Sequence, residues 1–148
     1  MNQSFAALLL AARRERQLVI ATALTDGAPS GQARQARLAQ QQGAGAAELR
    51  ADLLADPAQV RAALTAVRAA SSLPLLLTYR STTEGGKGAG HGQGYEDYLA
   101  SLLQLRPAVA AVDIEMACPA SKALVAEAKA VGYDVVGSCH DFTATPSA

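Results

Sequence analysis

The sequence has no tryptophan, two phenylalanines and four tyrosines. It has two cysteines, Cys118 and Cys139, and two histidines, His91 and His140. No CxxC pair and no zinc-like Cys/His spacing occurs, so a structural zinc site is not expected. The cysteines read as reduced cytosolic thiols rather than as a disulfide. Positive and negative charges balance, 13 Lys and Arg against 13 Asp and Glu. There is no basic cluster interleaved with aromatics, so nothing calls for a nucleic-acid partner. No apolar run approaches the about 20 residues of a membrane span. The run Phe5–Ala12 has no basic stretch before it, and Arg13-Arg14-Glu15-Arg16 follows it directly. That is the reverse of a signal peptide's charge order. Residues 1–17 are expected to form a short N-terminal leader helix or a disordered segment.

Half of the 148 residues are hydrophobic, which suits one globular unit. Short apolar runs alternate with helical patterns. The runs are 18–24, 46–52, 73–80, 108–115 and 134–140. The helical patterns are 30–42, 57–70, 95–105 and 119–131. Such alternation implies parallel strands joined by helical crossovers. Strand side chains alternate between faces. Glu48, Arg50 and Asp52 therefore share one face of their strand, as do Asp113 and Glu115 of theirs. Val136, Ser138 and His140 share a face of the last. The runs are apolar until their final residues, which include Glu48, Arg50, Arg80, Asp113, Glu115 and His140. A polar site at the C-terminal rim of a parallel sheet follows. An open doubly wound sheet and a (β/α)8 barrel both fit this pattern, although a barrel typically needs ~250 residues.

The glycine-rich stretch from Glu84 to Gly92 invites a phosphate-loop reading, which fails on register. Lys87 is followed by Gly88 rather than Ser or Thr. An active-site loop is the better reading, with a surface linker as the alternative. No GxSxG or HExxH motif occurs.

Four motifs do stand in a telling order. They are Glu48-Leu49-Arg50-Ala51-Asp52, the segment Thr78 to Gly86, Val112-Asp113-Ile114-Glu115, and Ser138-Cys139-His140-Asp141-Phe142 through Pro146. Together they resemble type I 3-dehydroquinate dehydratase, the Schiff-base hydro-lyase of the shikimate pathway that serves aromatic amino acid biosynthesis. The resemblance runs from about Leu18 to the last residue. It implies a (β/α)8 barrel, of which this chain would hold about five strands, in a cytoplasmic enzyme acting on 3-dehydroquinate. It implies His140 as the general acid/base. Glu48 and Arg50 become substrate-binding residues, with Glu48 also orienting His140. Arg80 becomes a substrate-binding arginine and Glu84 a member of the polar network. No metal or organic cofactor is implied, because a lysine imine serves as the electron sink.

The departures matter equally. The family's Schiff-base lysine sits on the strand after the His-Asp-Phe motif, and the sequence stops at Ala148. Its lysines are Lys87, Lys122 and Lys129, and none matches that position. Little or no activity is expected of this chain by itself. Five strands cannot close a barrel, so two sheet edges and an apolar inner face would meet water. A homodimer or a complementing C-terminal fragment would relieve this. Two other readings remain: a non-catalytic binding module for a polyhydroxy carboxylate, and a smaller open-sheet protein related only by ancestry.

Overall fold

In the computed structural model, residues 4–105 and 108–145 are described. Met1 to Gln3 of the leader and Pro146 of the last motif lie outside these residues. The five apolar runs form five parallel strands: β1 (Ala21–Leu24), β2 (Ala46–Arg50), β3 (Leu75–Thr78), β4 (Ala111–Glu115) and β5 (Asp134–Ser138). They pair in chain order, β1-β2-β3-β4-β5. The helices between them are α2 (Pro29–Gln41), α3 (Pro57–Ala70), α4 (Gln93–Leu102) and α5 (Ser121–Ala130).

The crossover helices all cover one face of the sheet. On that face Leu49, Leu77, Val112 and Ile114 are fully buried. They share one core with Ala36 of α2, Val60 and Leu64 of α3, Leu99 of α4 and Leu124 of α5. Each buried leucine contributes about 2 kcal/mol of apolar transfer. A doubly wound sheet reverses its strand order and carries crossover helices on both faces. Sequential order with one crossover-helix layer is instead the arrangement of a (β/α)8 barrel, and five of its strands are present.

Local chemistry explains the elements. Asp56 caps α3 by accepting the Gln59 amide at 2.9 Å, and Pro57 opens the first turn. Val60, Ala63, Leu64 and Val67 then form its buried stripe. Arg68 near the end of α3 donates to the carbonyls of Ala108 and Leu73, both at 2.7 Å. Helix α2 begins at Pro29, one residue before the expected pattern of 30–42; a proline at the first position needs no amide partner.

The opposite face is concave in the barrel arrangement and changes character along the strands. Register places Ala23, Glu48, Leu76, Ala111 and Asp134 in one row. Above it come Arg50 beside Thr78, then Asp113 beside Val136, then Glu115 beside Ser138. The lower part is apolar and is covered by α1 (Phe5–Glu15). Phe5, 7% exposed, packs with Ala46, Ala110 and Ala111, flanked by Leu76 and Val136. Asp134 fastens the start of α1 by accepting the Ser4 hydroxyl at 2.8 Å and the Ala6 amide at 2.9 Å. A carboxylate there also meets the positive end of the helix dipole. The expectation that the apolar inner face would meet water is thus corrected: the first helix covers its lower part.

Two further expectations change. β2 ends at Arg50, and Ala51–Leu53 is a 3-10 turn. Asp52 therefore leaves the strand face and turns back onto Arg50. β5 ends at Ser138, so His140 lies two residues beyond it. The edges expected at β1 and β5 are present. Beside β1, Leu18, Ile20 and Leu38 are 96%, 64% and 51% exposed.

Candidate active site

The rim above the polar row is organised around a buried arginine. Arg80 follows β3, and its side chain is 9% exposed. Its Nη2 lies 3.0 Å from Asp113, and its Nη1 lies 3.1 Å from Glu115 and 3.6 Å from Glu84. Nη1 also donates to Ser138 Oγ at 2.8 Å, and that hydroxyl donates to Asp113 at 2.8 Å. Strands β3, β4 and β5 each supply part of this network because alternation turns their odd or even residues inward together.

The loop after Arg80 delivers the fourth part. It folds back on itself: Gly86 donates to the Ser81 carbonyl at 2.7 Å, and Gly88 donates to that of Arg80 at 2.9 Å. A Cβ on Gly86 would run into the Arg80 carbonyl, so this tight return needs glycine. The return brings Glu84, 3% exposed, beneath His140. Glu84 Oε2 accepts the His140 backbone amide at 3.0 Å and faces Nδ1 at 2.8 Å. A ring nitrogen so close to a carboxylate oxygen carries the proton. Nε2 is then left with its lone pair free to act as a base. The ring itself is 41% exposed, open to a ligand.

Three acids around one guanidinium set the electrostatics. Burial pushes the Asp113 carboxyl above its ordinary range, and Glu48 and Glu115 add to this against the opposing pull of Arg80 and Ser138. Burial works the same way on Glu115, but there it is outweighed. The Ser81 hydroxyl and amide, His91 and Arg80 hold it below the usual range. Asp52 is also lowered; burial opposes this, while Arg50 and the amides of Lys87 and Arg80 prevail. Arg50 is raised chiefly by its bond to Asp52.

Among the described residues, Glu84, His91 and Glu115 offer ligand atoms within 4.8 Å of one another. Arg80 already bonds Glu115 and faces Glu84, so the cation of this cluster is a guanidinium.

Arg80 and His140 therefore meet at Glu84. Glu48 and Arg50 sit lower, on β2. Glu48 accepts the Thr78 hydroxyl at 2.7 Å. Arg50 forms a two-point bond with Asp52, both contacts 2.8 Å. The carboxylate beside His140 Nδ1 is thus that of Glu84, while Glu48, expected to orient His140, bonds Thr78 here. Sequence reasoning left Ser81, His91 and Ser138 out of the site. It noted Asp113 and Glu115 as same-face carboxylates without giving them a role. Lys122 and Lys129 lie on exposed positions of α5, on the outer layer, and Lys87 is exposed in the loop.

Comparison with known proteins places the chain in a family. Residues 20–148 match the family model of type I 3-dehydroquinase. The chain belongs to the type I 3-dehydroquinase family. It is 37% identical over 115 residues to the 3-dehydroquinate dehydratase of Methanosarcina barkeri, covering 75% of this chain and 48% of that protein. It is 39% identical over 122 residues to that of Methanoregula boonei, covering 82% and 51%. The chain thus spans about half the length of the curated relatives it matches. The 3-dehydroquinate dehydratase structure from Enterococcus faecalis superposes with a TM-score of 0.76 at 28% identity, covering 87% of this chain and 56% of that one. The type I enzyme from Clostridium difficile, carrying covalently modified comenic acid, superposes with a TM-score of 0.77 at 22% identity, covering 86% and 53%. That second likeness bears on the fold alone. No helix among the described residues of this dehydroquinase-family chain is long and apolar enough to cross a membrane.

Proposed function

We propose that this chain supplies the acid/base half of a cytoplasmic 3-dehydroquinate dehydratase, converting 3-dehydroquinate to 3-dehydroshikimate. The observation that carries the reading is the Glu84–His140 pair, which leaves one imidazole nitrogen basic and open at the barrel rim. Glu84 fixes the tautomer, and Nε2 removes the C2 proton of substrate held as an imine. The imine accepts the electron pair. The imidazolium then returns the proton to the departing hydroxyl, which leaves as water. Arg50, Arg80 and Glu48 meet substrate oxygens. Residues 18–148 are the barrel portion, and 1–17 form its leader.

Of the three lysines in the sequence, Lys122 and Lys129 lie on the outer layer, and Lys87 is exposed in its loop. The lysine that forms the imine is therefore expected on strands beyond the five described here. The edge beside β1 suits such an addition. A groove there is lined by Thr22, Ala23, Leu38 and Ala39, next to exposed Ile20. A strand with its helix would cover these groups.

Mixing this chain with a separately made, lysine-bearing second half of the Methanosarcina barkeri relative is expected to restore dehydratase turnover. Each part alone should stay at background. An assembled but inactive mixture would count against the reading. Binding of substrate without turnover would favour the binding-module alternative.

A further inference from the structure

We propose that His91 is a positioning residue of this site, acting on His140 through Glu115, Arg80 and Glu84. The inference deepens the functional reading above and concerns the same rim. Its test, however, reads ring tautomers rather than turnover, so either can fail while the other stands.

The loop from Ser81 to Gly92 contains Gly85, Gly86, Gly88, Gly90 and Gly92. Such a run has high backbone entropy and needs fixed points. Its first half is closed by the bonds of Ser81, Gly86 and Gly88 described above. Its far end is tied by His91. The His91 amide donates to Thr83 Oγ1 at 3.1 Å, and the ring nitrogen Nε2 lies 2.6 Å from Glu115 Oε2. The ring stands edge-on to Tyr95, with centroids 5.5 Å apart. Its side chain is 13% exposed. The charged groups facing it are Glu115 and Glu84, with Arg80 bonded behind Glu115.

Glu115 is fully buried and uses both oxygens fully. Oε1 accepts Arg80 Nη1 and the Ser81 amide; Oε2 accepts the Ser81 hydroxyl and His91. That accounts for the lone-pair sites of a carboxylate. Nε2 of His91 must carry the proton of its bond, so this ring is held in the tautomer opposite to that of His140. Removing the imidazole leaves a buried oxygen one donor short and unties the loop. Arg80 Nη1, shared between Glu115 and Glu84, is then drawn toward Glu115. Glu84, at 3.6 Å from that nitrogen, loses its brace and with it the fixed bond to His140.

The chain's two imidazoles make this measurable by nitrogen NMR. In the unmodified protein His140 should show the Nδ1–H form and His91 the Nε2–H form. His91→Leu should lower the Nδ1–H to Nε2–H ratio of His140 about fivefold, the effect of losing one hydrogen bond. His91→Gln, whose amide reaches the position of Nε2, should keep the ratio. Should His91→Leu not fold, His91→Asn takes its place, since its shorter amide does not reach Glu115. An unchanged His140 ratio in a folded Leu or Asn variant overturns the proposal. So does an equal loss in the Gln variant. Failure of every variant to fold overturns it too, by making His91 a structural residue only.

Discussion

Replacing Arg80 with methionine will cost about 3–5 kcal/mol of folding stability at neutral pH, the effect of stranding buried charges by removing their partner. Methionine keeps much of the volume, so the loss reports charge rather than a cavity. Asp113, Glu115 and Glu84 are 4%, 0% and 3% exposed at their side chains and would share no cation. The deficit should shrink as pH falls. Asp113 already binds its proton more tightly in the fold than outside it, because burial raises its pKa. A group of this kind contributes stability at low pH that is lost as pH rises through its folded value. Without Arg80 this preference grows. Glu115 and Asp52 behave in the opposite sense in the unmodified protein. Their lowered values contribute stability above the ordinary carboxylate range, lost as pH falls. Both trends bring the two proteins together toward acid. Urea midpoints at about pH 7 and about pH 5 test this. An equal gap at both values would contradict the network described here.

In the complemented enzyme, His140→Ala should lower turnover by ~10²–10⁴, the range of a general acid/base. Glu84→Gln should lower it by about 10², since the amide oxygen still accepts Nδ1–H while the charge that supports the imidazolium is gone. Glu48→Gln should do less, because Glu48 bonds Thr78 and not His140. Turnover numbers for the three variants decide between the two acids. A loss for Glu48→Gln as large as for Glu84→Gln would show that His140 changes partner when substrate binds.

Much of this was legible in the chain because strands announce themselves by period. Val112-Asp113-Ile114-Glu115 shows two carboxylates on one face, and both lie on the inner side of β4 as alternation requires. The alternating runs and helices led to parallel strands, and the motif order led to the barrel. What escaped were bonds made by chain returns. Nothing in the spacing of Glu84 and His140, 56 positions apart, says that a glycine-lined loop folds one under the other. Asp52 was placed on a strand face because the run continued past Arg50. Its pairing with Arg50 curls the chain into a 3-10 turn instead, a tertiary preference that periodicity does not contain. His91 went unused because a lone histidine in a glycine-rich loop resembles any surface residue until the carboxylate it meets is known. The cover that α1 provides was equally hidden. Phe5 finds its pocket among alanines of β2 and β4, small residues that carry no signal of their own in sequence.

The central claim is that this rim holds the base of the reaction but no lysine that can form the imine. Borohydride reduction in the presence of 3-dehydroquinate, followed by mass spectrometry of the peptides, tests it. The chain alone should yield no adduct, and the complemented pair should yield one on a lysine of the second half. A trapped adduct on Lys87, Lys122 or Lys129 would contradict the account.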